Sequence, residues 1–201
     1  MKKITVWILA LSLALAGAAC AEDASLPETL SALDWTFSSG VGAWSTDLRI
    51  QADGSFSGSY HDSEMGDDGE AYPDGTVYQC VFSGHLTIGE QTGEKTWKVL
   101  VDQLVRDESQ PEEFIQDGIR YIRSEPYGLS EGDEMVLYAP GADLSALSEE
   151  MQFWAHAWTG DDSADELETW FLTSELNQSG FVGCERLPED SGTVSPEEAA
   201  P

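Results

Sequence analysis

Between Trp44 and Tyr60 apolar and polar residues alternate, with one interruption at Ala52-Asp53-Gly54. A period of two is the pattern of a half-buried strand, so this stretch predicts two antiparallel strands joined by a tight loop. Register is then severely limited, because a slip of one residue would turn the whole apolar set to the other face. A two-residue loop at Asp53-Gly54 would place Ile50 opposite Ser57. A three-residue loop, with Gly54 left-handed, places Ile50 opposite Phe56 and Thr46 opposite Tyr60 and keeps the apolar residues together. The second register is the expectation. It is flanked by a strand over 33–38, with Trp35 and Phe37 on one face, and by a longer one over 76–88. In the latter Tyr78, Cys80, Phe82, Leu86 and Ile88 share a face, and Gly84 interrupts it as a bend or a close backbone approach would require.

The remaining strands are expected over 95–105, where Trp97, Val99 and Val101 alternate, and over 118–124, 134–138, 168–173 and 181–184. One helix is legible: Leu147, Met151, Trp154 and Trp158 lie on one helical face, after an N-cap at Ser148 and with Glu149 and Glu150 in the first turn. That stripe reads as core packing rather than as a cofactor box. Short strands with turn signals between them, no internal repeat and one helix in the C-terminal half predict a mainly β chain. The expected fold is an antiparallel, lipocalin-like β-barrel of about eight strands, with a β-sandwich as the alternative.

The N-terminus carries an export pattern. Lys2 and Lys3 precede an apolar run over 4–16 that is too short to span a bilayer comfortably, and small residues follow. Ala18-Ala19-Cys20 resembles the lipobox of bacterial lipoproteins, although Gly17 stands where Leu is usual. The expected organisation is a signal peptide over 1–19, a lipidated Cys20 with a tether to residue 31, a single β-rich domain over 32–185 and a disordered acidic tail over 186–201. Cleavage after Ala18 and simple secretion is the alternative to anchoring on the outer face of the cytoplasmic membrane. The chain has three cysteines, so a lipid on Cys20 leaves Cys80 and Cys184 as the natural disulfide pair in an oxidising compartment. Two buried free thiols are the other possibility.

Nine basic residues against 38 acidic give a formal net charge of −29. Such a chain repels nucleic acid phosphates and anionic lipid headgroups. Partners compatible with it are cations, cationic or neutral small molecules, sugars and basic proteins, with membrane contact only through the lipid anchor.

The run FSSGVGAWSTDLRIQADGSFSGSYHDSEMGDDGEAYPDGTVYQCVFSG, continued by IRYIRSEPYGL and EMVLYAPGADLSAL, resembles the signature of an uncharacterised family of exported lipoproteins of Gram-positive bacteria. The likeness spans roughly residues 33–184 and implies architecture and location, not a reaction. A weaker resemblance is to lipocalin-like barrels, carried by Trp35 and by Leu48, Ile50, Asp53, Gly54 and Phe56 of the hairpin. Leu33 stands where lipocalins place Gly, which leaves the sandwich open.

Two candidate sites follow. The loop 61–75 holds Asp62, Glu64, Asp67, Asp68, Glu70 and Asp74 with no Lys or Arg among them. Such oxygen donors suit a hard cation such as calcium, although their spacing is not that of an EF-hand. An acidic solvated loop is the plainer interpretation. The second site gathers Trp44, Tyr60, His61, Tyr72, Arg120, Arg123 and Tyr127 at a barrel mouth, as a small ligand would need. The two arginines there suit either a ligand carboxylate or an ordinary ion pair. Catalysis has little footing: His61, His85 and His156 are isolated from one another in sequence, GSFSG lacks the serine of a nucleophile elbow, and Cys80 sits on a core face. The expectation is a non-catalytic exported lipoprotein that binds a small molecule or a surface partner, with no cofactor unless calcium. Its alternative is a cation-binding or adhesion module working through the 61–75 loop.

Overall fold

The computed structural model describes residues 24–109, 111–161 and 163–186. The expected signal peptide, the lipidation site Cys20 and the tail from residue 187 lie outside the described residues. Eight strands close into an up-and-down antiparallel barrel: β1 (Leu33–Ser38), β2 (Trp44–Ile50), β3 (Ser55–Glu64), β4 (Thr76–Gly93), β5 (Thr96–Arg106), β8 (Glu134–Tyr138), β9 (Trp170–Ser174) and β10 (Ser179–Glu185). Each pairs with the next in that order, and β1 closes the ring on β10. The fold is therefore a lipocalin-like barrel and not a sandwich. The hairpin of β6 (Glu113–Gln116) and β7 (Ile119–Arg123), inserted between β5 and β8, lies outside the ring as a wing. Strand β7 joins it by parallel pairing to the start of β4; the strand expected over 118–124 is β7, and β6 was not expected.

The hairpin register is the expected one. Ile50 stands opposite Phe56 and Thr46 opposite Tyr60, and Gly54 takes the left-handed φ of 87°. Gly84 is a close approach, because a Cβ there would overlap the Gln103 carbonyl oxygen and the Phe56 ring. Strand β4 runs further than expected, through Gly93, since GEQTG continues the ladder and only Glu94 and Lys95 turn the chain.

Trp35, Phe37, Leu48, Phe56, Phe82, Val101, Leu137, Leu172 and Phe181 fill the barrel interior, none more than 3% exposed. At eight strands the bore is just wide enough for side chains to occupy it, and these large rings do so. A second cluster forms outside the wall, where Met151 and Ala155 of α2 (Glu149–Thr159) cover Phe171 and Val182. Ser148 caps that helix as expected. Trp158 departs from the expected buried stripe and is 46% exposed, since the helix buries Ala155 instead. Within the expected polar tether lies α1 (Leu26–Ser31), closed by a capping box between Ser25 and Glu28, with Leu30 buried against the barrel. Arg186, assigned to the tail from sequence, is held to β1 through Asp34 and the Ala32 carbonyl.

The expected Cys80–Cys184 bridge is absent; both are free thiols. Strand β4 is separated from β10 by β3, β2 and β1. Cys80 opposes Tyr60 and turns into the core, whereas Cys184 opposes Asp34 and packs with the cluster outside the wall. Side chains on opposite faces of separated strands cannot meet the distance a disulfide requires. Burial pushes the Cys80 thiol up to about 11.

Candidate functional site

The end of the barrel that carries the β1–β2 connection is covered by a strap, residues 124–133. Side chains of the barrel hold it: the Thr46 hydroxyl donates to the Tyr127 carbonyl at 2.7 Å, the Ser179 hydroxyl to the Gly128 carbonyl at 2.5 Å, and the Asn177 amide to Ser130 and Asp133 at 3.1 and 2.6 Å. Of the seven residues expected at the mouth, Trp44, Tyr60 and Tyr127 do come together. The Tyr127 ring lies 5.2 Å from Trp44, 6.1 Å from Tyr60 and 5.6 Å from Phe37. These rings pack on one another, so the mouth is filled rather than open. Burial and the neighbouring Asp62 push the Tyr60 phenol up to about 12.

Tyr72 and Arg120 are elsewhere, and their work is structural. The Arg120 guanidinium sits 4.4 Å from the centre of the Tyr72 ring, pairs with Asp67 and donates to the Thr76 hydroxyl at 3.1 Å. Thr76 in turn donates to the Asp67 carbonyl at 2.8 Å. Arg120 is thus the clasp that folds the acidic loop back on β4. This geometry counts against the alternative of a calcium site in the loop. Asp62 and Glu64 belong to β3, Asp67 is engaged by Arg120, Asp74 lies against Gly118, and Asp68 and Glu70 point to solvent. Among the described residues, no three His, Cys, Asp or Glu side chains are grouped as a metal site.

His61 and Arg123 border a different space. Strand β4 pairs with β7 up to Gln79 and with β5 from Phe82 onward. At this change of partner a groove of about 440 Å³ opens, lined by Ser59, Tyr60, His61, Gln79, Cys80, Val81, Asp107, Pro111, Phe114 and Arg123. Phe114 stacks on Tyr121 with ring centres 4.8 Å apart, which stiffens that wall. The Arg123 side chain is only 10% exposed and pairs with Glu112. Asp107 accepts from the Ser109 amide and hydroxyl, which hold it below the ordinary carboxylate value. The volume falls in the range of small-ligand clefts. Phe114 and Pro111 were not foreseen, although Asp117-Gly118 between apolar residues is a hairpin signal, and both adopt positive φ in the β6–β7 turn.

A Ser, an Asp and a His do meet on the outer wall, but in the wrong order for a triad. The Ser45 hydroxyl donates to Asp47 at 2.8 Å and lies 3.3 Å from His61 Nδ1. In a triad the carboxylate orients the histidine, which takes the serine proton. Here the carboxylate itself takes that hydrogen bond, and the Thr36 hydroxyl occupies its other oxygen at 2.7 Å.

No family model, curated protein or solved structure matches this chain.

Proposed function

We propose that the protein is an exported, non-catalytic binding barrel, tethered by a lipid on Cys20, that takes a small ligand in the groove where β4 changes partners. The groove carries this reading: about 440 Å³ combining an apolar wall at Phe114, Pro111 and Val81 with hydrogen-bonding groups at Ser59, His61, Gln79 and Arg123. That mixture fits a neutral or singly charged molecule with one flat apolar face and polar edges, because the apolar wall drives burial and the polar groups fix orientation. A polyanion is disfavoured by a net charge of −29. Export and anchoring are supported by the pattern of residues 1–20 alone.

The test is a ligand-observed NMR screen of neutral and monocarboxylate aromatic and alicyclic fragments against the full chain. It is repeated on Ser59→Trp, which fills the groove from an exposed position on β3. Saturable hits that vanish in Ser59→Trp, with an unchanged melting temperature, support the reading. Hits that persist in the variant, or a screen without hits, sink it. For the anchor, Cys20→Ala should move the protein from the membrane fraction to the soluble one.

A further inference from the structure

Four connections meet at the strapped end of the barrel, and each exposes one large apolar side chain. Val41 between β1 and β2 is 88% exposed, Met65 between β3 and β4 80%, Leu176 between β9 and β10 72%, and Tyr127 on the strap 44%. Phe153 of α2 adds a fifth at 59%; it lies 5.2 Å from Trp154, which is itself 6.1 Å from Trp44. Contacts between the connections make these one surface. The Ser63 amide donates to the Ala43 carbonyl at 2.9 Å, the Trp44 and Tyr127 rings meet, and Ser179 ties the start of β10 to the strap. At the opposite end lie the β2–β3 hairpin, the β4–β5 turn and the two connections flanking α2. Among the described residues, these segments expose no large apolar side chain, and α2 itself adds Trp158, 46% exposed on its last turn. Single exposed apolar residues need no explanation. One on every connection at one end, and none on those at the other, is the distribution of a contact surface.

We propose that this end docks a protein whose contact face sets apolar side chains among lysines and arginines. Charge selects that occupant. Asp68 and Glu70 on the loop of Met65, and Glu175 next to Leu176, are exposed, while Arg106, Arg120 and Arg123 are each already paired with a carboxylate, Arg106 with Glu125 beside the strap tip. A second copy would set one acidic rim against another, and an anionic bilayer would be repelled in the same way. A basic rim is steered in, and the apolar centre then supplies the burial. The orientation agrees: α1 and the end of β10 lie at the opposite end of the barrel. A tether preceding residue 24 would therefore leave the apolar end facing outward.

The experiment titrates the full, isotope-labelled chain with a helical peptide of leucine and lysine, and with its leucine and glutamate counterpart, following amide resonances. The leucine–lysine peptide should bind saturably and shift residues 39–43, 65–75, 124–130 and 175–178, whereas the glutamate peptide should not bind. A Val41→Ser, Met65→Ser, Leu176→Ser variant should weaken binding by about tenfold or more, and a Gln51→Ser, Ala52→Ser, Glu94→Ser variant at the other end by less than about twofold. The affinity should fall as salt rises from about 0.05 M to about 0.5 M. The proposal is overturned if the peptide does not saturate, if its shifts spread over the whole acidic surface, or if both variants weaken it equally. It is also overturned if the apolar end instead drives self-association in sedimentation, or partitioning onto phosphatidylcholine vesicles, and the first variant abolishes that.

Discussion

His85 ties two distant pieces of backbone together with one ring. Its Nδ1 lies 2.9 and 3.0 Å from the two Asp102 oxygens, and its Nε2 3.0 Å from the Asp53 carbonyl in the β2–β3 hairpin. Asp102 is the residue that the β4–β5 ladder skips: His85 pairs with Gln103 and Leu86 with Val101. The histidine therefore joins a bulge to a turn, and it satisfies all three acceptors only as the doubly protonated cation. The Asp102 hydrogen bond, followed by that of Asp53, raises the imidazole above its ordinary value. The Thr87 hydroxyl, and then His85, lower the Asp102 carboxyl. A raised folded value means that the His85 contribution is complete below the ordinary imidazole value and is lost as pH climbs through the folded one. The Asp102 contribution has the opposite sign and is lost only in acid. Both are therefore present between about pH 4 and about 6.5. Thermal melts of the native chain and His85→Gln should differ more at pH 5.5 than at pH 9; an equal or larger gap at pH 9 would exclude the doubly protonated clasp.

At the scale of elements, the strap closes the mouth of a barrel whose interior its own side chains already fill, and Thr46 is one of the residues that hold it. The Thr46 side chain is fully buried and its hydroxyl is the donor to the Tyr127 carbonyl. Thr46→Val keeps the shape and removes that donor, so the variant should lose about 1–3 kcal/mol in denaturant melts. Amide exchange should quicken over 124–130 before it does so in β1 or β10, and uniform loss of protection would show that the strap has no separate stability. Nothing local announced the strap, since EPYGLSEGD reads only as a turn-rich connection. What sequence did specify was the β2–β3 register, because period two and Gly54 allow only one alignment that keeps Ile50, Phe56, Thr46 and Tyr60 together. It failed where both faces of a strand are covered. On β10, Phe181 fills the barrel while its neighbour Val182 lies under α2, so no alternation survives to give the parity that turns Cys184 away from Cys80. The candidate residues failed for the same reason of distance. Trp44, Tyr60 and Tyr127 were recognisable as rings, but only the β4 change of partners, a long-range event, separates Trp44 and Tyr127 from His61 and Arg123 and leaves Tyr60 bordering both places.

Over the whole molecule, charge works against compactness. With 38 acidic and nine basic residues, even complete pairing leaves most carboxylates without a basic partner, and some of the pairs that form are exposed on both sides, such as Lys98–Glu90 with side chains 63% and 70% accessible. Exposed pairs of this kind contribute little, whereas the summed repulsion acts across the entire fold. Salt screens both, but it relieves far more repulsion than it removes attraction once separations pass the Debye length of about 10 Å at 0.1 M. The melting temperature should accordingly rise as sodium chloride increases from about 0.02 M to about 0.5 M, and at low salt it should be higher in Asp68→Asn, Glu70→Gln, which removes two exposed carboxylates. A melting temperature that falls with salt would mean that specific ion pairs, with the Arg120 clasp foremost, outweigh the net charge. The same repulsion would then be too weak to choose a basic partner over a second copy at the apolar end.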